Sequence, residues 1–437
     1  MSKSEFHVAI IGAGLSGLSL ALALQQQNIR VTLYEGRDAP LDTGGGLMLH
    51  PNGLKALQAI GVYETLLEKA WPFDNIYVQN GITGEILQSI ENGSVEKYGM
   101  HAVRIYRYTL LDQLLNKVRQ SGIPIHFNRR YSHVVSETEQ EVTWQFTDGG
   151  SASASILVGA DGLHSTVRKY IAPDVKPIYN GYIILVAAVP TAQLGLPETD
   201  FRTLNDPKSS YPMPGGIVVP QLGAFVTAPQ TKSGDEVMIT VMRPFPQEAE
   251  RWTPIDNDKD RLRSMFRENS DKFPQVVQNA LSDIPDKQLH VWPAYTIPLL
   301  EHWTSVNTGS NPQGRIVIIG DAAHALPPSS GQGVNQAFED INSFAAVLGK
   351  LGNDLSRERL QKALHGWQQF RQERVDCVLR LNKHMETLRM PAAALAEKGI
   401  ANDPETLKAN LKKESHEVFK LDHEEAVREC WKRSNIE

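Results

Sequence analysis

The spacing of apolar residues in the first forty positions predicts two short strands around a helix. His7–Ile11 and Val31–Tyr34 are short apolar runs rich in β-branched residues, and Leu15–Gln27 between them is rich in leucine and alanine. This order is typical of a βαβ unit whose strands are buried in a parallel sheet. Further along, residues 52–60 and 110–120 place apolar side chains three and four apart, which predicts two more helices.

The pattern changes after residue 130. Residues 131–158 alternate around Asp148-Gly149-Gly150, which indicates a hairpin, and residues 176–298 combine frequent prolines with short alternating runs. Residues 315–319 again resemble a buried strand, and 334–351 and 357–390 resemble helices. We therefore expect an α/β fold with a first domain divided between residues 1–175 and 299–390. A mostly antiparallel sheet domain would occupy 176–298, and a helical tail 391–437.

Composition excludes several classes of protein. The 437 residues are 41% hydrophobic and 22% charged with a net charge of −6, which suits a globular protein and lacks the basic surface that a nucleic-acid binder needs. The two cysteines, Cys377 and Cys430, form neither a disulfide framework nor a metal motif. No apolar run is long enough for a transmembrane segment and no signal peptide is evident, so we expect a cytoplasmic protein.

A glycine motif, Gly12-x-Gly14-x-x-Gly17, lies between the first strand and the first helix. Its glycines allow a tight turn, the approach of a pyrophosphate and close packing of helix on strand. Glu35 ends the second strand, where a carboxylate can accept hydrogen bonds from the ribose of an adenosine, although it could also be an exposed charge. The motif predicts dinucleotide binding and leaves NAD and FAD open.

Two further stretches resolve that choice through a family resemblance. Val158–Arg168 reads VGADGLHSTVR, and Arg315–His324 reads RIVIIGDAAH, followed by PPSSGQGVN at Pro327–Asn335. With the glycine motif, these stretches resemble the three fingerprints of the class A flavin-dependent aromatic hydroxylases. The resemblance covers nearly all of the first domain. Residues 44–53 and the long C-terminal helix are most similar to tetracycline-degrading monooxygenases and their fungal relatives.

The resemblance implies a non-covalent FAD and a position for each of its parts. The glycine motif and Glu35 would hold the ADP half, and Gly44–Gly46 would be a mobile segment near the flavin, although it could be a surface loop. The loop before the helix at 334–351 would offer backbone N–H groups to the isoalloxazine, although its glycines could form an ordinary turn. The implied cofactor-binding residues are Gly12, Gly14, Gly17, Glu35, Gly46, Arg107 (pyrophosphate), Asp161 (FAD and NAD(P)H), Asp321 (ribityl chain), Pro328, Gly331, Gly333, Val334 and Asn335.

The implied activity is that of an FAD-dependent monooxygenase. Such an enzyme uses NAD(P)H and O₂ to hydroxylate or epoxidise a small electron-rich organic substrate through a flavin C4a-hydroperoxide. The sequence contains no second Gly-x-Gly-x-x-Gly and no Cys-x-x-Cys, which disfavours flavoproteins with two dinucleotide domains and disulfide reductases. An FAD-dependent oxidase or dehydrogenase on the same fold, or a non-catalytic flavin sensor, stays open.

We assign no catalytic residue from the sequence. His324 and Arg168 lie within the fingerprints, where a structural role is more common than a catalytic one. Substrate contacts would come from the second domain, where the following candidates could equally be core or surface: Tyr182, Tyr211, Met213, Phe225, Met242 and Arg243. The substrate, the oligomeric state and the choice between NADPH and NADH are not predicted.

Overall fold

The computed structural model describes residues 6–39, 45–246, 252–307, 313–389 and 404–436. Its strands, in chain order, are β1 (His7–Ile11), β2 (Arg30–Tyr34), β3 (Gly46–Leu49), β4 (Trp71–Phe73), β5 (Asn75–Asn80), β6 (Ile86–Glu91), β7 (Ala102–Tyr106), β8 (Ile125–His126), β9 (Tyr131–Glu137), β10 (Val142–Phe146), β11 (Ser151–Ala154), β12 (Ile156–Gly159), β13 (Ile178–Pro190), β14 (Gly215–Val219), β15 (Gly223–Pro229), β16 (Glu236–Pro244), β17 (His290–Thr296) and β18 (Ile316–Ile318).

The helices follow the apolar periodicity of the sequence. Within the described ranges, none is long and apolar enough to cross a membrane. In chain order they are α1 (Leu15–Gln26), α2 (Pro51–Ala59), α3 (Tyr63–Leu67), α4 (Val95–Tyr98), α5 (Arg107–Gln120), α6 (Arg168–Ile171), α7 (Trp252–Asn257), α8 (Lys259–Arg267), α9 (Gln275–Ala280), α10 (Asp321–His324), α11 (Gly333–Leu351), α12 (Arg357–Arg389), α13 (Pro404–Phe419) and α14 (His423–Ser434).

A five-stranded parallel sheet in the order β18-β12-β1-β2-β8 forms the centre of the first domain. β1 pairs in parallel with β2 on one side and with β12 on the other, which confirms the predicted βαβ unit. Strands buried on both faces need a continuous apolar sequence, and Val8 to Ile11 and Ile156 to Val158 are all buried. Each of the three fingerprint stretches therefore runs past the carboxyl end of one of three adjacent strands, β1, β12 and β18.

A seven-stranded, mostly antiparallel sheet in the order β17-β13-β16-β15-β14-β5-β6 forms the second layer. Only the β14–β5 pairing is parallel. Strands β5 and β6 come from residues 75–91, inside the segment that the sequence assigned to the first domain. The predicted domain limits stay a prediction, but this sheet draws on two separate parts of the chain.

The two faces of the seven-stranded sheet differ. Ile183 and Leu185 of β13, with Ile239 and Val241 of β16, are buried in a core that also contains residues of α8 and α9. Because successive side chains point to opposite faces, the alternate positions form a second face. We call this second face the cleft face; its members include Ile184, Val186, Val226, Thr240, Met242 and Trp292.

A buried charge cluster joins α11 to α12. Arg371 of α12 is fully buried and donates its Nε to Asp340 Oδ1 at 2.8 Å and its Nη1 to Glu339 Oε2. Arg374 donates to Glu339 Oε1 at 2.8 Å and to the carbonyl of Val418 at 2.6 Å, so α13 is attached as well. Burial opposes ionisation of Glu339, but Arg374 and Arg371 lower its pKa to about 2.

Replacing Arg371 with methionine should destabilise the fold strongly. The change leaves Asp340 and Glu339 buried with fewer compensating donors, and breaking one side of a buried ion pair costs about 3–5 kcal/mol. The matched control is Lys362→Met on the same helix, because Lys362 pairs with exposed Glu358 one turn away. Urea unfolding of the FAD-loaded proteins measures both. Equal stability of the two variants would contradict the role of the cluster.

Candidate cofactor and substrate site

The glycine loop between β1 and α1 is shaped for a pyrophosphate. Gly12 has φ +104°, and a Cβ there would lie 2.6 Å from the carbonyl oxygen of Ala160. A Cβ on Gly17 would collide with the carbonyl oxygen of Gly12, whereas a Cβ on Gly14 would meet nothing within 4 Å. Two glycines are thus required by packing, and the third leaves open space where the N-terminus of α1 presents free N–H groups.

Glu35 lies directly after β2 beside this loop and is 8% exposed. Its Oε2 accepts from the backbone N–H of Ala13 at 2.9 Å, and its Oε1 accepts from that of Arg37 at 3.0 Å. Each carboxylate oxygen has more than one lone pair, so Glu35 retains capacity for ribose hydroxyls. The alternative of an exposed strand-end charge does not fit its burial.

Asp161 in the second fingerprint organises its own loop. Its carboxylate accepts from Ser165 Oγ at 2.5 Å and from the backbone N–H groups of Thr166 and Val167 at 2.7 and 3.2 Å. Burial raises the pKa of Asp161, and these hydrogen bonds oppose the rise. Nearby, Arg168 donates to the carbonyl of Ala322 at 3.0 Å, so its observed contact joins the second fingerprint to the third. The direct cofactor role of Asp161 stays a prediction.

The third fingerprint places an available carboxylate at the start of α10. Asp321 is exposed, and within the described ranges no hydrogen bond is made by its side chain. Its charge acts on Arg107 at the start of α5: burial lowers the pKa of Arg107 and Asp321 opposes that shift. A carboxylate and a half-buried guanidinium beside the glycine loops are the groups that ribityl hydroxyls and a pyrophosphate require.

The loop before α11 is held from behind by Asn335, which is fully buried. Its Oδ1 accepts from the backbone N–H of His50 at 3.0 Å, and its Nδ2 donates to the carbonyls of Met48 and Gly331 at 3.1 and 3.0 Å. The side chain of Asn335 therefore positions the loop. Its predicted contact with FAD would use the backbone.

The front of the same loop stays accessible. Gly331 has φ +61°, and a Cβ there would collide with Cε of Met48. A Cβ on Gly333 would approach only Asp321 Oδ1, at 3.9 Å, while Pro328 is exposed and Val334 half-buried. The first N–H groups of α11 have no partners within the helix, so this end of a 19-residue helix can stabilise negative charge on a bound ring.

The segment at Gly45 and Gly46 faces the second sheet. Gly45 has φ +95°, and a Cβ there would lie 3.5 Å from the ring of Trp292 on the cleft face. The N–H of Gly46 points at Sδ of Met238 at 3.2 Å. Gly44 lies outside the described residues. The structure thus brings the predicted flavin segment against the cleft face, between the two layers.

Buried polar groups border that junction. Arg104 of β7 is 7% exposed, and burial lowers its pKa to about 10. Its Nη2 contacts Sδ of Met238 at 3.7 Å, and a Cβ on Gly46 would lie 2.9 Å from the same nitrogen. Oε1 of Gln230 and Oγ1 of Thr240 are buried and have no hydrogen-bond partner among the described residues. These unsatisfied polar atoms are buried beside the junction and are not exposed on the cleft face.

The structure separates the six substrate-contact candidates. Met213 and Phe225 are buried in the core behind the sheet, and Arg243 donates to the carbonyl of Glu268 at 3.2 Å. Tyr211 packs at the edge of that core. Tyr182 pairs with Pro244, and Met242 pairs with Ile184. Both Tyr182 and Met242 are on the cleft face, and Met242 is 46% exposed.

Sequence reasoning missed three residues that position the site. His50 stacks on Phe419 and hydrogen-bonds to Asn92, and burial lowers its pKa to about 4, so it is neutral. Ser329 lies in the loop before α11, residues 327–332, which we call the flavin loop, and donates to Asn382 of α12 at 2.9 Å. Neither pairing has a sequence signal, because the partners lie 42 and 53 positions apart. Asp340, which binds Gly320 and His324, is the third.

Comparison with known proteins identifies what this arrangement binds. A family model described as an FAD binding domain matches residues 5–380. The chain belongs to this FAD-binding family. FAD is its cofactor, and the resemblance to class A FAD-dependent monooxygenases is confirmed. The glycine loop, Glu35, Arg107 and Asp321 fit the parts of that cofactor.

Curated relatives of this FAD-dependent enzyme cover most of its length. Hispidin-3-hydroxylase of Neonothopanus nambi is 26% identical over 86% of this chain and 87% of its own. The 6-hydroxynicotinate 3-monooxygenase of Bordetella bronchiseptica is 27% identical over 88% of this chain and 92% of its own. These are hydroxylases or monooxygenases by name, which supports an enzyme of that class.

Solved structures share the fold. HpxO of Klebsiella pneumoniae, determined with FAD and uric acid, has a TM-score of 0.71 at 21% identity and covers 99% of this chain and 97% of its own. The tetracycline destructase Tet(51) has a TM-score of 0.62 at 17% identity and covers 95% and 96%. The α/β fold with a Rossmann-like sheet and a second, mostly antiparallel sheet is therefore confirmed.

Replacing Asp321 with alanine should weaken FAD binding far more than it disturbs the fold. Charge-assisted hydrogen bonds contribute about 1.5–3 kcal/mol each, so losing one set should lower FAD affinity by about one to two orders of magnitude. Titration of the apoprotein with FAD, followed by flavin fluorescence, measures this. Asp283→Ala, at an exposed position after α9, is the matched control. FAD affinity that is unchanged in Asp321→Ala would exclude the assigned contact.

Proposed function

We propose that this protein uses NAD(P)H and O₂ to transfer one oxygen atom to a small, electron-rich organic ring. The observation that carries this proposal is the cleft face beside Gly45: a Cβ on Gly45 would lie 3.5 Å from the ring of Trp292 and 4.0 Å from Val186. A ring placed there would lie between the flavin and a wall that includes Val186, Thr240 and Trp292. Bound FAD would supply the redox chemistry and the activation of O₂.

The residues of the chain contribute binding, orientation and exclusion of water. The first turn of α11 presents N–H groups where negative charge would develop on the reduced ring. The apolar side chains of the cleft face keep water from a reactive oxygen species.

The names of the relatives support this class of substrate. Hispidin and 6-hydroxynicotinate, named in two relatives, and uric acid, named in one solved structure, are hydroxylated or oxo-substituted rings. We infer a substrate of the same kind for this chain, planar and rich in electrons. The described residues suggest no catalytic base: His324 is bound to Asp340, and His50 is buried and neutral.

Substrate should accelerate reduction of the flavin. Class A enzymes have one Rossmann-like domain, so the flavin must move to meet a transiently bound nicotinamide. The flavin is then in equilibrium between two positions, and only one of them can be reduced. A ligand shifts this equilibrium only if it binds better to the reducible position. Stopped-flow reduction of the FAD-loaded protein by NADPH, alone and with a panel of hydroxylated aromatic rings, should show acceleration by at least about tenfold with a true substrate. Equal rates with a compound that is turned over would contradict gating.

Gly45→Val should slow that reduction while FAD stays bound. Gly45 has φ +95°, which a β-branched residue disfavours, and added bulk would approach Trp292 on the cleft face. Gly84→Val is the matched control, because Gly84 also has a positive φ of +75° but has open space around it. If flavin reduction is slowed equally in Gly45→Val and Gly84→Val, the effect comes from general destabilisation and the prediction for Gly45 is wrong.

A further inference from the structure

The C-terminal helices α13 and α14 lie beyond residues 5–380, which the family model matches, yet they contact residues of the cofactor site. Phe419, the last residue of α13, is 3% exposed. Its ring stacks on that of His50, with 4.7 Å between centroids and 12° between planes. Tyr98 packs edge-to-face against Phe419 at 5.8 Å. A ring from the end of the chain is therefore in contact with two rings from its N-terminal part.

The backbone on both sides of Phe419 is attached to other helices. The carbonyl oxygen of Val418 accepts from Nη2 of Arg374 in α12 at 2.6 Å. The carbonyl oxygen of Leu421 accepts from Nζ of Lys55 in α2 at 2.9 Å. These two hydrogen bonds hold the Phe419 ring against His50, because the backbone cannot withdraw without breaking them.

His50 contacts the flavin loop with its other atoms. Burial lowers the pKa of His50 to about 4, so the ring is neutral. Its Nε2 lies 2.9 Å from Oδ1 of Asn92 and must donate, because an amide oxygen only accepts, and Nδ1 is therefore an acceptor. Nδ1 accepts from Nε2 of Gln332, the last residue of the flavin loop, at 2.9 Å. Cε1 of His50 would lie 3.5 Å from a Cβ on Gly331, so the ring lies directly behind the loop.

The position of Gln332 affects the start of α11, because that helix begins at the next residue, Gly333. The first N–H groups of α11 have no partners within the helix and can stabilise negative charge on a bound ring. A reduced flavin carries more negative charge than an oxidised one, so the alignment of these groups matters more for the reduced form. Displacing Gln332 should therefore weaken the binding of reduced FAD more than that of oxidised FAD.

We propose that Phe419 is a positioning residue of the cofactor site: its ring holds His50 in the orientation that fixes Gln332 and the start of α11, and thereby favours the reduced state of bound FAD. The helices α13 and α14 are then a functional part of the FAD site. This inference rests on the FAD cofactor and not on the transfer of oxygen. A ring that served only the hydrophobic core would stabilise the fold without distinguishing the two redox states.

The test compares the affinities of Phe419→Leu for oxidised and reduced FAD. Leucine is apolar but has no flat face to stack on His50. Affinity for reduced FAD should fall about three- to tenfold more than affinity for oxidised FAD, the range expected for a weakened helix-terminus interaction. For a two-electron couple this difference lowers the midpoint potential of the bound flavin by about 14 to 30 mV. Fluorescence titration of the apoprotein gives the oxidised affinity, and equilibrium reduction with a reference dye gives the potential.

Leu411→Ala is the matched control. Leu411 is buried on the same helix but lies about two turns before Phe419, roughly 12 Å along the axis. The control should lower the melting temperature and leave the midpoint potential at the wild-type value. Phe419→Tyr retains a flat ring and should also retain the wild-type potential, even where its buried hydroxyl lowers stability. A potential lowered as much in Phe419→Tyr as in Phe419→Leu would overturn the proposal, because the stacked ring would then not be what matters.

His50→Phe tests whether the effect passes through His50, because it keeps a ring for stacking but removes the Nδ1 acceptor. Its midpoint potential should also fall, and adding Phe419→Leu should lower it by less than in the wild-type background. Full additivity of the two shifts would overturn the proposal. Equal potentials in Phe419→Leu and Leu411→Ala, or equal losses of oxidised and reduced affinity, would overturn it too. Phe419→Met takes the place of Phe419→Leu in each comparison if the leucine variant does not fold, with the same expected and contradicting results.

Discussion

Three donors converge on the buried carboxylate of Asp340, and the geometry of the cofactor loops depends on them. The N–H of Gly320 and the ring of His324 approach Oδ2 at 2.9 and 2.6 Å, and Nε of Arg371 approaches Oδ1 at 2.8 Å. Burial would raise the pKa of Asp340, but His324 and Arg371 hold it below its ordinary value. The start of α10, and with it Asp321, is therefore fixed to α11 and α12 by one ionised group.

The other cofactor loops are organised in the same way. Asp161 binds the loop that follows it, and Asn335 binds both β3 and the loop before α11. Each of these side chains is satisfied within the protein, which leaves backbone N–H groups, Glu35 and Asp321 available for FAD. Groups that are oriented before a ligand arrives need less reorganisation on binding, and this rigidity suits a cofactor that stays bound.

Much of the fold and of the cofactor site could be predicted from the sequence because the signals are local. Gly17 packs against the backbone of Gly12 within a single turn, and the helix at 357–390 is observed as Arg357–Arg389. The match over residues 5–380 confirms the family. Individual contacts with FAD stay predictions.

The remaining features depend on contacts between distant parts of the chain. Nothing in residues 75–91 indicates that β5 and β6 join the second sheet, because strand partners are chosen by tertiary packing. The pairing of Asp340 with Arg371 and the burial of Arg104 against Met238 join positions 31 and 134 residues apart. For the same reason the sequence could not separate Met213 and Phe225, which are core, from Met242 on the cleft face.

The central claim is that oxygen from O₂ reaches the substrate, and isotope labelling tests it most directly. The ring compound that most accelerates NADPH oxidation would be turned over under ¹⁸O₂ in unlabelled water, and its product analysed by mass spectrometry. The account predicts one ¹⁸O atom in the product for each substrate molecule consumed. An unlabelled product, with the label recovered in hydrogen peroxide, would contradict it and identify an FAD-dependent oxidase.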